Sequence, residues 1–303
     1  MTTSEPGRGT LRLAVAQSTV PEDPTDPANL RASGDEIRRL MREAREAGTR
    51  LVQFPEGAIT YPGKYVMSSG IPGTLTAADW DRVDWHVMRA QAQSIADLAG
   101  ELGLWVVLGS IHPLTPPHRP HNSLYVISDE GTLVARYDKR YLSHTELTYL
   151  YTPGTEPLVF EVDGLRFGTA LCIEANFPEL FAQYEQMDVD CLLISVMVDD
   201  AARASLAPAY ATLYNQWVGY SVPAQFGATA PATITAPGGR CLARCPADTR
   251  PALAIADIDP YSQDADIDTA LRHARPWRRT ARAGLYDSHV ITRDARSNTR
   301  TSF

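Results

Sequence analysis

An α/β fold with a mixed sheet, or with two sheets packed between helices, is what the sequence predicts. Three observations carry this. Short apolar runs alternate with stretches of helical periodicity, two pairs of those runs are close enough to be hairpins, and the composition supports a large core. The 303 residues are 44% hydrophobic and 21% charged, far from a disordered composition. That length allows one large domain or two ordinary ones. No internal repeat or linker interrupts the chain, so one domain is expected.

The elements follow in order. "LRLAVAQ" and "RLVQFPE" read as strands. Between them Ile37, Leu40, Met41 and Ala44 repeat at helical spacing, and Gly48 is placed to end the helix. Thr76 and Asp79 form a capping box for a second helix with a stripe of Trp80, Val83, Val87, Ala90, Leu98 and Leu102. The strand "LWVVLGS" follows Gly103. "NSLYVIS" and "TLVARYDK" flank a turn at "DEG" as one hairpin, and "LVFEVDG" with "LRFGTALC" makes a second. A helix from Pro178 to Met187 precedes "CLLISVMV", and another, Arg203 to Gln216, precedes "WVGYSVPA". "ATITAPGG" and "ALAIADID" close the series as strand, turn and strand. Domain boundaries are expected at 1–10 for a flexible tail, 11–270 for the body and 271–303 for an arginine-rich C-terminal arm.

The bulk properties narrow the function. A net charge of −8 argues against a nucleic-acid-binding surface and suits a protein acting on a small molecule. "MTTSEPGRGT" lacks the apolar stretch of a secretory signal, and "LWVVLG" is too short to span a bilayer, so no membrane partner is expected. Four cysteines without such a signal point to reduced thiols in the cytoplasm. Cys241 and Cys245 in "RCLARC" lack a second ligand pair, so no metal is expected there, and Cys191 reads as core.

Three polar residues share an unusual placement. Glu56 follows "LVQFP", Lys139 follows "LVARYD" and Cys172 follows "FGTAL", each at the C-terminal end of a strand. Ligands and catalytic side chains collect at that edge of α/β sheets. Taken singly, each has an ordinary explanation: a loop carboxylate, a surface amine and a packed thiol.

The sequence around them, "FPE", "YDKRYL" and "CIEANFPE" in that order, resembles the nitrilase superfamily of carbon-nitrogen hydrolases across about residues 11 to 260. The resemblance implies a single-domain α-β-β-α four-layer sandwich with a Glu-Lys-Cys triad, falling here on Glu56, Lys139 and Cys172. It implies a second glutamate after the lysine, matched by Glu146 in "SHTEL". Beside these, His144 and Glu174 are pocket candidates, and the backbone N–H of Ile173 joins Lys139 as an oxyanion donor. The expected reaction attacks an amide carbon with the Cys172 thiolate and releases ammonia, with Glu56 as base in both halves. No cofactor is expected. The partner is an amide-like small molecule, and a homodimer or higher homo-oligomer is implied.

Substrate choice is less legible. Nitrile-cleaving relatives carry Trp after the nucleophile where this chain has Ile173, whereas Glu174 and "FPE" fit amidases and carbamoylases. Tyr214 stands where a helix glutamate is expected beside Asn215. Arg203 is the nearest arginine that could pair a substrate carboxylate. An acyl-transferring relative, a nitrilase, an inactive binding or assembly module, and a thiol-redox or metal protein are the competing readings.

Overall fold

The computed structural model describes residues 9–71 and 73–296. Residues 1–8 of the tail expected at 1–10, and the arm's last residues, 297–303, lie outside them. Two six-stranded sheets are stacked between helices. The first comprises β1 (Leu11–Gln17), β2 (Leu51–Gln53), β3 (Trp105–His112), β4 (His121–Ile127), β5 (Leu133–Asp138) and β12 (Ala252–Ile258), in the order β12-β1-β2-β3-β4-β5. The second comprises β6 (Val159–Val162), β7 (Leu165–Leu171), β8 (Cys191–Ser195), β9 (Trp217–Ser221), β10 (Thr233–Thr235) and β11 (Cys241–Arg244), in the order β11-β10-β9-β8-β7-β6. Parallel trios, β1-β2-β3 and β7-β8-β9, form the two centres. Antiparallel hairpins extend both sheets, so each is mixed.

Central strands read as unbroken apolar runs because both of their faces are covered. Leu13, Val15, Leu51 and Val107 face the second sheet's core, while Ala14, Ala16, Val52 and Val106 face helices. Those helices are α1 (Pro27–Glu46) and α3 (Trp85–Leu102), with the short α2 (Lys64–Met67) between them in sequence. On the far side lie α4 (Pro178–Gln186), α5 (Ala201–Ala204) and α6 (Leu206–Tyr214). The arrangement is the α-β-β-α four-layer sandwich.

Local chemistry sets most helix ends. Asp26 accepts from the Ala28 N–H with Pro27 in the first turn, and α1 stops before Gly48, whose φ is 76°. The second long helix begins later than the capping-box expectation. Asp79 caps only a 3₁₀ turn, Trp80–Arg82; Val83 is extended, and Asp84 accepts from the Val87 N–H to start α3. Two acidic caps five residues apart compete, and the extended backbone at Val83 separates their helices. The helix expected over 203–216 divides at Ser205 into α5 and α6.

The arginine-rich segment folds onto its own chain through α7 (Ala265–Thr269), a wide turn at 270–274 and α8 (Arg275–Thr280). Arg275 is buried and donates to Asp190 at 2.9 Å and to the Val189 carbonyl at 2.8 Å. Arg279 pairs with Asp188, and Arg282 with Glu185, on the same α4–β8 corner. Arg275→Met should destabilise the fold by roughly 3 kcal/mol, the lower end for breaking a buried ion pair, because Asp190 keeps the Arg166 N–H. A urea midpoint equal to the wild type would contradict this.

Candidate active site

The first sheet delivers two of the polar residues. β2 ends at Gln53, and the next turn carries Glu56 across β3 at Gly109. A side-chain carbon on Gly109 would lie 2.1 Å from the Pro55 carbonyl and 2.6 Å from the Gly57 nitrogen. Only glycine lets the two backbones approach this closely. Gly109→Ala should displace Glu56 and lower kcat/KM by roughly 100-fold, the scale of a misplacement of about 1 Å. Wild-type kinetics in that variant would show that the close approach has no bearing on turnover.

Lys139 follows β5, with its N–H on the Asn122 carbonyl of β4. Its ammonium donates to Glu56 Oε1 and to Glu146 Oε1, both at 2.7 Å, and all three side chains are almost wholly buried. Asn122 Nδ2 also donates to Glu56 Oε1, at 2.8 Å. Glu146 Oε2 accepts from the Ser143 N–H at 2.7 Å. Glu56 Oε2 is buried and has no hydrogen-bond partner.

One cation between two carboxylates leaves a net negative charge, and the surroundings divide it unequally. Burial raises the Glu56 pKa; Lys139 opposes this, and the Glu146 charge adds to it. Burial also disfavours ionised Glu146, but the Lys139 charge and hydrogen bonds from Lys139 and Ser143 hold it below the ordinary value. Burial lowers Lys139, yet Glu56 and Glu146 raise it well above a free amine. Glu146 and Lys139 are thus held as an ion pair, and of the two carboxyls Glu56 is the one whose pKa is raised.

The second sheet delivers the thiol. Cys172 directly follows β7 and opens the 3₁₀ turn Cys172–Asn176, with a left-handed φ of 45°. A non-glycine residue in that region costs energy that its surroundings must sustain. The bracing comes from Glu174, fully buried, whose carboxylate accepts from the Leu171, Arg140 and Tyr141 N–H groups and the Tyr137 hydroxyl. Glu174 therefore ties the Cys172 turn to the Lys139 loop; its side chain is spent on that clamp. Ile173 is the second residue of the turn, where a helical start leaves N–H groups without intrahelical acceptors.

Cys172 is partly exposed, and its thiol is pushed up to about 12. Burial is the main cause and Glu56 adds to it, against Lys139 and the Met197 N–H. The resting sulfur is therefore protonated.

His144 is exposed, and only its backbone carbonyl is engaged, by the Thr148 hydroxyl. A cavity of about 220 Å³ is lined by Glu22, Tyr61, Lys64, Glu146 and the residues on either side of His144, Ser143 and Thr145. Sequence reasoning missed Asn122, Tyr61 and Tyr151. The Tyr61 and Tyr151 phenols are raised well above their usual value, by burial first and then by the Glu56 and Glu146 charges. Asn122 had no signal of its own, being one of three polar residues, His121, Asn122 and Ser123, that open β4. Cys241 is exposed and Cys245 buried, both free, and no metal-binding cluster occurs among the described residues.

The sequence matches the carbon-nitrogen hydrolase family over residues 12–266. Two hydrolases of Mycobacterium tuberculosis strains are 32% identical over 180 residues, covering 57% of this chain and 56% of theirs. The chain thus aligns with just over half the length of those relatives. Human omega-amidase NIT2 is 25% identical over 300 residues, covering 91% of this chain and 96% of its own. Among solved structures, an amidase from Nesterenkonia sp. superposes with a TM-score of 0.67 at 20% identity, over 89% of this chain and 95% of that one. A variant of the Nesterenkonia amidase carries the acetamide moiety of fluoroacetamide on its active-site cysteine.

Proposed function

The chain belongs to the carbon-nitrogen hydrolase family, and from that premise we propose that it hydrolyses a small linear amide through a Cys172 thioester, releasing ammonia. The observation that carries this reading is the unpartnered Glu56 Oε2, a buried carboxylate oxygen with a raised pKa in the electrostatic neighbourhood of a protonated thiol. Glu56 takes the thiol proton as sulfur attacks the carbonyl carbon. The oxygen that becomes negative is met by Lys139 and the Ile173 N–H. Glu56 returns the proton to the nitrogen, ammonia leaves, and the acyl group remains on sulfur. Water then gives a proton to Glu56 and its oxygen to the thioester carbon, freeing the acid and the thiol. Glu146 holds Lys139 charged throughout.

Ureido compounds present the same carbon-nitrogen bond and belong to the proposed substrate range. Ile173 in place of an aromatic residue weighs against nitriles. The proposal extends to a cytoplasmic homodimer whose body is residues 11–270 and whose arm, 271–303, meets a second copy. Exposed Trp277, Tyr286, Val290 and Ile291 on that arm support the contact.

The test is ammonia release from primary amides, ureido acids and nitriles beside Cys172→Ala. Release from an amide that the variant loses supports the reading; release that persists in the variant refutes it. The pH profile gives a second expectation. A base must be ionised to act, and the Glu56 pKa is raised, so kcat/KM should fall as pH drops through a value above 4.5, the ordinary glutamate figure. An acid limb at or below 4.5 would remove Glu56 from the role.

A further inference from the structure

A cavity of about 380 Å³ lies at the end of the second sheet opposite Cys172, lined by Arg272, Arg275 and Arg279 together with Asp190 and Trp217. Trp217 opens β9 in register with Cys191 of β8 and Phe167 of β7, and Cys172 follows the far end of β7. At about 3.3 Å per strand residue, the register of Trp217 stands roughly 16 Å from the thiol along the sheet. The cavity is therefore separate from the cluster of Glu56, Lys139 and Cys172.

Each of the three arginines has an acidic partner. Arg275 donates to Asp190 at 2.9 Å, Arg279 pairs with Asp188 at 2.6 Å, and Arg272 with Asp268 at 2.5 Å. Other donors are left over. Trp217 is 1% exposed, and its indole N–H has no hydrogen-bond partner among the described residues. Arg279 Nε is buried and unpartnered in the same way. Both orphans are donors, and a buried donor is costly until an acceptor completes it.

The charge balance narrows the acceptor. Burial lowers the Arg275 pKa, Asp190 opposes this, and the Arg279 charge lowers it further, so an anion beside the two guanidiniums relieves a repulsion. Three arginines against three aspartates leave no surplus for a phosphate dianion; a single charge held by hydrogen bonds suits them better. A planar carboxylate matches a guanidinium edge. The cavity is larger than a carboxylate group and falls at the lower end of the range for small-molecule sites. Pro260, Tyr261 and Leu271 complete its lining with largely apolar surface. Trp277, between Arg275 and Arg279 on α8, is 59% exposed where Arg275 is 6% exposed. The cavity side of α8 is thus not the side proposed to meet a second copy.

We infer that this cavity binds a small organic monocarboxylate, with its carboxylate on Arg279 and Trp217 and its apolar body against Pro260, Tyr261 and Leu271. The site stands apart from the amide hydrolysis proposed above and does not depend on it.

The experiment titrates benzoate and benzyl alcohol, which share a ring and differ in the carboxylate, into the full chain by calorimetry. Benzoate should bind at least about 10-fold more tightly than the alcohol. Arg279→Gln should weaken benzoate roughly 10- to 100-fold, the loss for hydrogen bonds to a charged group. The exposed Arg279–Asp188 pair adds little to stability, so this variant should keep the wild-type urea midpoint. Trp217→Phe should weaken benzoate by roughly tenfold for the one donor it loses. Arg278→Gln is the control, because Arg278 donates to the Leu213 carbonyl and lies over the Tyr214 ring instead. It should bind benzoate as the wild type does. Absence of benzoate binding, equal affinity for the alcohol, or unchanged affinity in Arg279→Gln overturns the site. Equal weakening by Arg278→Gln would trace binding to the general charge of the segment and overturn it as well.

Discussion

Cys172→Ala is expected to bring ammonia release down to background, on the order of 10⁶-fold, the scale on which losing a nucleophile acts. The fold should survive, because the turn around this residue is held by other groups. Its left-handed backbone is braced by Glu174, which takes three backbone N–H groups and the Tyr137 hydroxyl. An unchanged urea midpoint together with lost turnover is the predicted pair of results. Residual turnover near the wild-type rate would mean that the thiol is not the attacking group. A large drop in stability would instead assign Cys172 a packing role, since it is only partly exposed.

Lys139→Met is expected to damage the fold and the chemistry together. The ammonium is the cation shared by Glu56 and Glu146, and the two carboxylates are buried on either side of it. Removing it leaves uncompensated buried charge, which costs roughly 3–5 kcal/mol. The pH dependence follows from the sign of the shift. Without the cation, burial holds both carboxyls above their unfolded values. Their contribution to stability is then fully present below the ordinary carboxylate range and is lost as pH rises through the folded values. The variant should therefore lose less stability relative to the wild type at about pH 4 than at about pH 7 in urea titrations. An equal penalty at both pH values would show that the substitution disturbs packing rather than charge balance. Turnover should be at background throughout, because the thiol loses a favourable charge and the intermediate loses a donor.

What could be read in advance followed from periodicity and position. Strands buried on both faces print unbroken apolar runs, and hairpins print their turn residues, so the mixed sheets were legible, as was the helix over Ile37–Ala44. The positions of Glu56, Lys139 and Cys172 at strand ends were legible for the same reason. Glu146 was reached only through resemblance, because a loop glutamate has no periodicity to betray it. Glu174 was legible as a residue but not in its role. That role depends on N–H groups from Arg140 and Tyr141, more than thirty residues earlier in the chain. The start of α3 was misjudged because Thr76, Asp79 and Asp84 all carry capping oxygens, and backbone geometry at Val83 chose among them.

By itself, the sequence determined the layered α/β architecture and which side chains stand at the strand ends, since both follow from where apolar runs and helical periodicity begin and stop along the chain. Only the tertiary structure decided which of the two carboxyls has the raised pKa. Glu56 and Glu146 are the same residue type on two separate loops, and nothing beside either one in the chain ranks them. Desolvation, a shared ammonium and the Ser143 N–H separate them, and each of those depends on groups brought together from different strands and loops. The unpartnered Arg279 Nε and Trp217 indole N–H are of the same kind. Whether a polar group is buried without a partner is a property of the packed chain, and no spacing along it records the fact.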